Sequence, residues 1–394
     1  MKQSFINLDM KNTHELEINN LIKNAKKFTF TCECKNKKFK LTKNSEESPF
    51  ALLFAILTLS LLGEDEYLNK NKIIFDKLIR NNLNSFYKEN LTKDIPLECN
   101  KNFLQLLSFS LSCLEVINTL KNDPLSNIVG KLFCSKGVGE YLDIFGTFEG
   151  KARSGNMAMF LAIVLEHKRK YLSIKTDKNI EEWIYLHLKF LNKNGFWGNP
   201  LLKPYLQFQN GYHQYEILRY FNISGENWQL AANHILKLQD KNYKFAPYPG
   251  GGGCFDLDAI FFITNKFVSG NQYKEFSIKF FNSIIKDQNV DGGFCESKLL
   301  ENSSFKRIIK LFAVNHLRLF QYGFNERLFY AIRLAHPKHN RINTHWTRYS
   351  RSWDESDLWD TWFRLLAIAR IDRFLKLGLW NWNFPKNIGI GFEP

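Results

Sequence analysis

A repeat of about 49 residues constrains this chain more than any other feature of its sequence. The segment HILKLQDKNYKF (234–245) aligns with FNSIIKDQNVDGGF (281–294): an apolar run, a Gln, five further residues, then a Phe. Gln239 to Phe245 and Gln288 to Phe294 keep the same spacing of six. HLKFLNKNGFWG (187–198) is a third copy that ends at Trp197 and lacks the Gln, and DIFGTFEG gives a degraded fourth ending at Phe148. Those aromatic positions lie 49, 48 and 49 residues apart. A second apolar segment follows each turn, beginning near Asn156, Tyr212, Phe255 and Phe305. One such unit cannot bury its apolar face alone, so the chain reads as stacked helical hairpins. Three or four units plus the helices at either end supply roughly the five to six hairpins of a closed α/α toroid. The alternative is an open HEAT-like solenoid, whose usual repeat is about 40–47 residues.

The rest of the hydrophobic pattern agrees with an all-α fold. Apolar segments of helical length recur at Phe103–Leu120, Asn156–His167, Glu182–Leu191, Trp228–Leu238, Phe276–Ile285, Phe305–Leu319 and Leu358–Leu375. Phe50–Leu62, interrupted only by Thr58 and Ser60, is too short to span a bilayer and predicts a helix buried on all sides. The first 45 residues differ. Phe28, Phe30, Cys32 and Cys34 alternate with Thr29, Thr31 and Glu33, the period of a half-buried strand, and a polar CKNKK run leads into Phe39-Lys40-Leu41. The expected organisation is an N-terminal extension over 1–45 carrying a small β-hairpin, then one α/α-toroid domain over 46–394.

Composition narrows the function classes. At 44% hydrophobic and 24% charged residues the chain is globular and not a mostly disordered one. The 54 Lys+Arg against 39 Asp+Glu give a net charge of +15. A Lys-, Asn-, Phe- and Ile-rich chain is what AT-rich coding produces, and it is also what an anionic partner would select. The expected partner is a lipid-like or anionic small molecule, with peripheral membrane contact left open. No nucleic acid is expected, because the basic residues are dispersed and no binding motif accompanies them. The N-terminal MKQSFINLDMKN has no apolar core or small-residue cleavage site, and the seven cysteines are scattered and odd in number. Both point to reduced thiols in a cytoplasm. Cys32-Glu-Cys34 lacks nearby partners for a zinc site.

The turn Gln288-Asn-Val-Asp-Gly-Gly-Phe294 resembles the QW-type repeat of terpenoid cyclases and protein prenyltransferase β-subunits, and Gly195-Phe196-Trp197-Gly198 looks like a shorter version. The resemblance covers about residues 140–375. It implies an α/α toroid in which the Gln caps a helix end and the aromatic stacks beneath it. Physically, a Gln amide can bond orphan groups at a helix terminus, and Gly supplies the left-handed exit. Next, Gly250–Gly253 leads into Cys254-Phe-Asp256-Leu-Asp258-Ala259, similar to the Asp-x-Asp-Asp motif of class II terpenoid cyclases. The middle Asp of that motif protonates an alkene or epoxide. The resemblance therefore implies Asp258 as general acid and Asp256 as its partner, with Ala259 standing where the family has its last Asp. Two carboxylates so placed can raise one pKa. The residues themselves leave another reading open, since Asp early in a helix caps free N–H groups. The prenyltransferase zinc set (Asp-x-Cys and a distant His) has a reversed counterpart in Cys254-Phe-Asp256 with His345. Zn²⁺ is thus a weaker candidate cofactor than Mg²⁺.

The richest stretch for chemistry is 345–364. A basic approach (Lys338, Arg341, Arg348, Arg351) runs into Asp354, Glu355, Asp357 and Asp360. Ser352 and Glu355 fit a capping box. Trp353, Asp357, Asp360 and Arg364 recur at i, i+4, i+7 and i+11, one stripe of a helix. Asp357 with Arg364 would make an internal ion pair; alternatively Asp354, Asp357 and Asp360 face a cavity and hold Mg²⁺ and a diphosphate. Lys151, Arg153 and Asn156 open an earlier inner helix, and Tyr212, His213 and Tyr215 another. Lys151, Arg153, Arg348 and Arg351 are candidates for an anionic group, His345 and Trp346 for substrate contact, and Phe262 for cation–π stabilisation one turn beyond Asp258. The leading expectation is an Asp-initiated enzyme acting on an isoprenoid or other long apolar substrate, with or without a diphosphate. Two other classes remain: a carbohydrate-active toroid drawing an acid/base pair from Asp357, Asp360, Tyr212 and His345, and a non-catalytic helical-repeat binding protein.

Overall fold

The computed structural model describes residues 2–92, 94–300, 305–316, 322–336 and 339–393, without the side chains of 2–13, 305–306 and 315–316. Among the described residues the fold is all-α. The α-helices are α1 (Lys2–Thr31), α2 (Pro49–Leu61), α3 (Asp65–Leu91), α4 (Lys101–Val116), α5 (Ser126–Val129), α6 (Val138–Phe145), α7 (Ser154–Tyr171), α8 (Asp177–Lys189), α9 (Pro204–Tyr220), α10 (Asn227–Leu236), α11 (Gly253–Ile263), α12 (Asn271–Ile284), α13 (Phe305–His316), α14 (Phe324–Leu334) and α15 (Leu358–Leu375). The chain divides into two compact units. One comprises Met1–Glu64 and Ala232–Asn383, the other Asp65–Ala231 and Phe384–Pro394.

The strand expected at 28–34 is a helix as far as Thr31. Ile18, Leu21, Ile22, Ala25, Phe28 and Cys32 are all buried, so the stretch carries a 3.6-residue period that a short window around Phe28 hides. Only isolated bridges follow, Glu33 with Phe39 and Lys40 with Glu47. Residues 1–45 form part of the first unit, where α1 packs on α2 and α15.

α2 bears out its expectation: Pro49 stands at N1, where its missing N–H costs nothing, and every residue from Phe50 to Leu61 is buried. α15 is buried from Leu358 to Asp372 and packs on α11 and α2. Its N-cap is Asp357, whose side chain accepts from the Asp360 N–H at 2.8 Å, a bond that contributes about 1 kcal/mol at such a position. Ser352 and Glu355 do not start a helix. Glu355 reaches back to the Ser352 N–H at 3.3 Å inside a loop.

The repeat shows itself in backbone hydrogen bonds. In three turns the first residue's N–H donates to the carbonyl four residues on: Asn192 to Phe196 (2.7 Å), Asp240 to Lys244 (2.7 Å) and Asn289 to Gly293 (2.8 Å). In each, the fourth residue's N–H returns to the first carbonyl, and that fourth residue has positive φ: Gly195 (80°), Tyr243 (65°) and Gly292 (94°). The degraded copy keeps the left-handed Gly146 (64°) and the return bond from its N–H to the Asp143 carbonyl (2.9 Å), at the C-terminal end of α6. Gln239 caps α10 by donating to the Leu236 carbonyl (3.0 Å), whereas Gln288 reaches Leu21 of α1 (2.8 Å).

In the second unit α7 and α9 lie so close that a Cβ on Gly155 would sit 2.1 Å from the Asn210 carbonyl oxygen. Only glycine fits there.

Candidate functional site

The glycine run before α11 threads through a buried ionic cluster of the first unit. A Cβ on Gly251 would meet the Asp256 carboxylate at 2.6 Å, one on Gly252 the Tyr248 hydroxyl at 2.3 Å and the Glu296 carboxylate at 2.5 Å, and one on Gly253 the Asp360 carboxylate at 2.3 Å. Side chains of Tyr248, Asp256, Glu296, Ser297 and Asp360 thus converge on this glycine backbone. Arg351, 2% exposed, lies at the centre. Its guanidinium stands 2.6 Å from Asp357, 3.1 Å from Asp360 and 3.5 Å from Glu296. Arg364, also buried, pairs with Asp256, and Lys244 pairs with Asp287.

Three cations thus face five carboxylates (Asp256, Asp287, Glu296, Asp357 and Asp360). Burying that many negative charges is costly, and the cluster answers by holding protons. Burial pushes the Glu296 carboxyl up to about 7; Asp360 adds to the rise, and Arg351, the Tyr248 hydroxyl and Arg364 oppose it. Burial likewise drives Asp357 well above the carboxylate range, with Arg351 pulling it back and Asp360 raising it. Tyr248 donates its hydroxyl proton to Glu296. Burial, with Asp258, Glu296 and Asp360, also pushes the Cys254 thiol well up, which keeps it protonated.

Beside this cluster lies a cavity of about 300 Å³, whose walls include Lys241, Lys244, Lys298, Arg364, Asp287 and Ser297. Four cations and one carboxylate line it; with Asp256 behind Arg364, two positive charges remain in excess. Glu296 stands between two of its lining residues, Cys295 and Ser297, and Arg364 Nη2 donates to the Glu296 carbonyl at 3.5 Å.

The expected site residues fall into separate places. Asp256 is occupied on both oxygens, accepting from the Phe245 N–H (2.9 Å) and from Arg364. Asp258 is 4% exposed on α11 and does not line the cavity. Phe262 is fully buried against Phe261. The Trp353–Arg364 stripe breaks up: Trp353 lies before α15, with its indole N–H on the His339 carbonyl (3.2 Å), and Arg364 pairs with Asp256, not with Asp357. His345 is exposed beside Phe50, and Trp346 packs on Phe54 and Trp359. Arg348 is exposed, its N–H held by Glu46. Arg351, read as a ligand for an anionic group, is enclosed by carboxylates instead. Lys338 lies outside the described residues.

In the second unit Lys151 and Arg153 are exposed at the start of α7, Lys151 pairing with Glu149 at 2.8 Å. Asn156 Nδ2 meets His213 Nε2 at 2.8 Å, and burial pushes His213 down to about 3, so its ring is neutral. Tyr212, His213 and Tyr215 lie in the middle of α9, not at its start; Pro204 at N1 was the missed signal. The Tyr212 hydroxyl donates to Glu216 (2.8 Å) and that of Tyr215 to the Gly195 carbonyl (2.6 Å).

All seven cysteines are free thiols. Among the described residues no three His, Cys, Asp or Glu side chains come together so as to hold a metal ion, and no helix is long and apolar enough to cross a membrane. The residues that sequence reasoning missed are Glu296, Tyr248, Lys241, Lys244, Asp287 and Lys298. All lie in or beside the repeat turns, where the signal was the lysine content of segments read as purely structural. Compared with known proteins, the chain matches no family model, no curated protein and no solved structure.

Proposed function

We propose that the protein is an enzyme acting on a phosphate- or diphosphate-bearing small molecule, held in the lysine-walled cavity of the first unit. One observation carries this reading: four cations against one carboxylate around a space of about 300 Å³. A diphosphate accepts charge-assisted hydrogen bonds of that kind, each stronger than a neutral one. The turn residues that resemble those of terpenoid cyclases and prenyltransferases support the finer form of the proposal, an isoprenoid tail on the substrate and an α/α toroid as the scaffold. In this reading the proton is carried by Glu296, which stands between the lining residues Cys295 and Ser297 and whose carboxyl burial holds near neutrality, in place of Asp258, which does not line the cavity, and of its partner Asp256, which Arg364 and the Phe245 N–H already occupy.

Titration calorimetry with inorganic pyrophosphate tests the anion site. Wild type should bind, and Lys241→Gln/Lys298→Gln should weaken binding at least about tenfold, since a hydrogen bond to a charged group is worth about 1.5–3 kcal/mol. Equal binding by the variant, or none by wild type, removes the proposal. The occupied Asp256 favours a second reading, a binding protein without turnover. Prenyl diphosphates consumed or released unchanged distinguish the two.

A further inference from the structure

We propose that the α13–α14 hairpin is a docking surface for an anionic lipid bilayer. The sequence from Phe305 to His336 holds six Lys and Arg and a single acid, Glu326, although the whole chain carries 39 acids in 394 residues. That acid is 9% exposed and turned inward. Of the cations, Arg327 is buried and Arg307, Lys310 and Arg333 are exposed, so among the described side chains the exposed charge of the two helices is basic. On α13, Ile308 and Phe312 are buried, and Lys310 and Val314 lie on the opposite face, with Arg307 exposed beside them. On α14, Ala331 and Leu334 are buried, while Phe329, Ile332 and Arg333 are exposed. Val314, Phe329 and Ile332 expose 51%, 57% and 59% of their surface. The two helices pack against each other.

Basic residues interleaved with exposed large apolar side chains are the signature of a helix lying in the membrane interface: apolar side chains enter the headgroup boundary and Lys and Arg meet anionic phosphates. A second copy of this chain would present the same positive charge and be repelled, so charge complementarity selects the bilayer as occupant. The inference does not depend on what the lysine-walled cavity holds.

Co-sedimentation of the full chain with vesicles tests it. Binding is expected to vesicles of phosphatidylcholine mixed with phosphatidylglycerol, weakening as salt is added. Arg307→Gln/Lys310→Gln/Arg333→Gln should lose about a hundredfold in affinity, roughly fivefold per charge, which corresponds to about 1 kcal/mol each. Phe329→Ser/Ile332→Ser should lose binding while lowering the melting temperature only slightly, because more than half of each side chain's surface is already in water. Pyrophosphate binding should be unchanged in either variant, which separates this result from the cavity's. Absence of wild-type binding to the anionic vesicles, or equal binding by both variants, overturns the proposal. So does self-association in analytical ultracentrifugation that these substitutions abolish.

Discussion

Glu296→Gln isolates the proton that the buried cluster holds. Glu296 is only 14% exposed, with Tyr248, Arg351 and Asp360 around its carboxyl. Burial lifts it from an ordinary 4.5 to about 7, so between those pH values the folded protein keeps a proton that the unfolded chain has released. Linkage then sets the sign: this group's contribution is fully present below pH 4.5 and is lost as pH rises to 7. At 1.36 kcal/mol per pKa unit the loss across that window is about 3 kcal/mol. Glutamine has the shape of the protonated acid and no proton to lose. Urea denaturation of both proteins from pH 4.5 to 8 should therefore give nearly equal stabilities at the acid end, with the variant gaining to become more stable by roughly 2–3 kcal/mol at pH 8. Only the difference between the proteins is read, so the other titrating groups cancel to first order. A difference that stays flat with pH, or a wild type that is the more stable at pH 8, would show Glu296 ionised and paired with Arg351. The charge argument for the cluster would then fail.

Arg351→Met removes the central cation and leaves Asp357 and Asp360 buried without it; breaking such a pair costs about 3–5 kcal/mol, readable as a lower urea midpoint. A loss under about 1 kcal/mol would mean the carboxylates are all neutral or hydrated. Gly292→Ala forces a Cβ to 2.3 Å from the Asn24 carbonyl oxygen at φ +94°, so it should unseat α1 from the third turn and lower the melting temperature. Gly63→Ala, also at positive φ but with nothing within 4 Å, is the control and should cost only the backbone strain.

The helices were legible because their signal is local. Leu358–Leu375 is α15 to the residue, and the expected segments at 182–191, 228–238 and 276–285 overlap α8, α10 and α12, each running one or two residues past the helix's C-terminal end. The recurring turn was legible for the same reason: six residues fix both its hydrogen bonds and its left-handed position. The candidate site was not. Nothing in the sequence around Arg364 marks its partner, since Asp256 is 108 positions away. Helical spacing offers Asp357 as the partner, but Asp357 caps the N-terminus of α15 and turns to Arg351 instead. The surplus of carboxylates could be found only once the folded chain had brought 244–256, 287–296 and 351–364 together.

The acid at the fourth position of α11 has a counterpart in the adjacent repeat. Asp256 is the fourth residue of α11 and accepts the N–H of Phe245, the aromatic that closes the preceding turn. Thr361 is the fourth residue of α15 and accepts the N–H of Phe294, the aromatic of the next turn, at the same 2.9 Å. One position therefore does one job in both places, satisfying a buried backbone donor that would otherwise cost about 1–3 kcal/mol. A hydroxyl does it without charge; a carboxylate does it and then needs a cation, which Arg364 supplies from the turn of α15 that follows Thr361. Asp256 is thus explained by packing alone. The proton-holding carboxyls lie elsewhere, at Asp357, the N-cap of α15, and at Glu296, two residues beyond Phe294, where no sequence motif pointed.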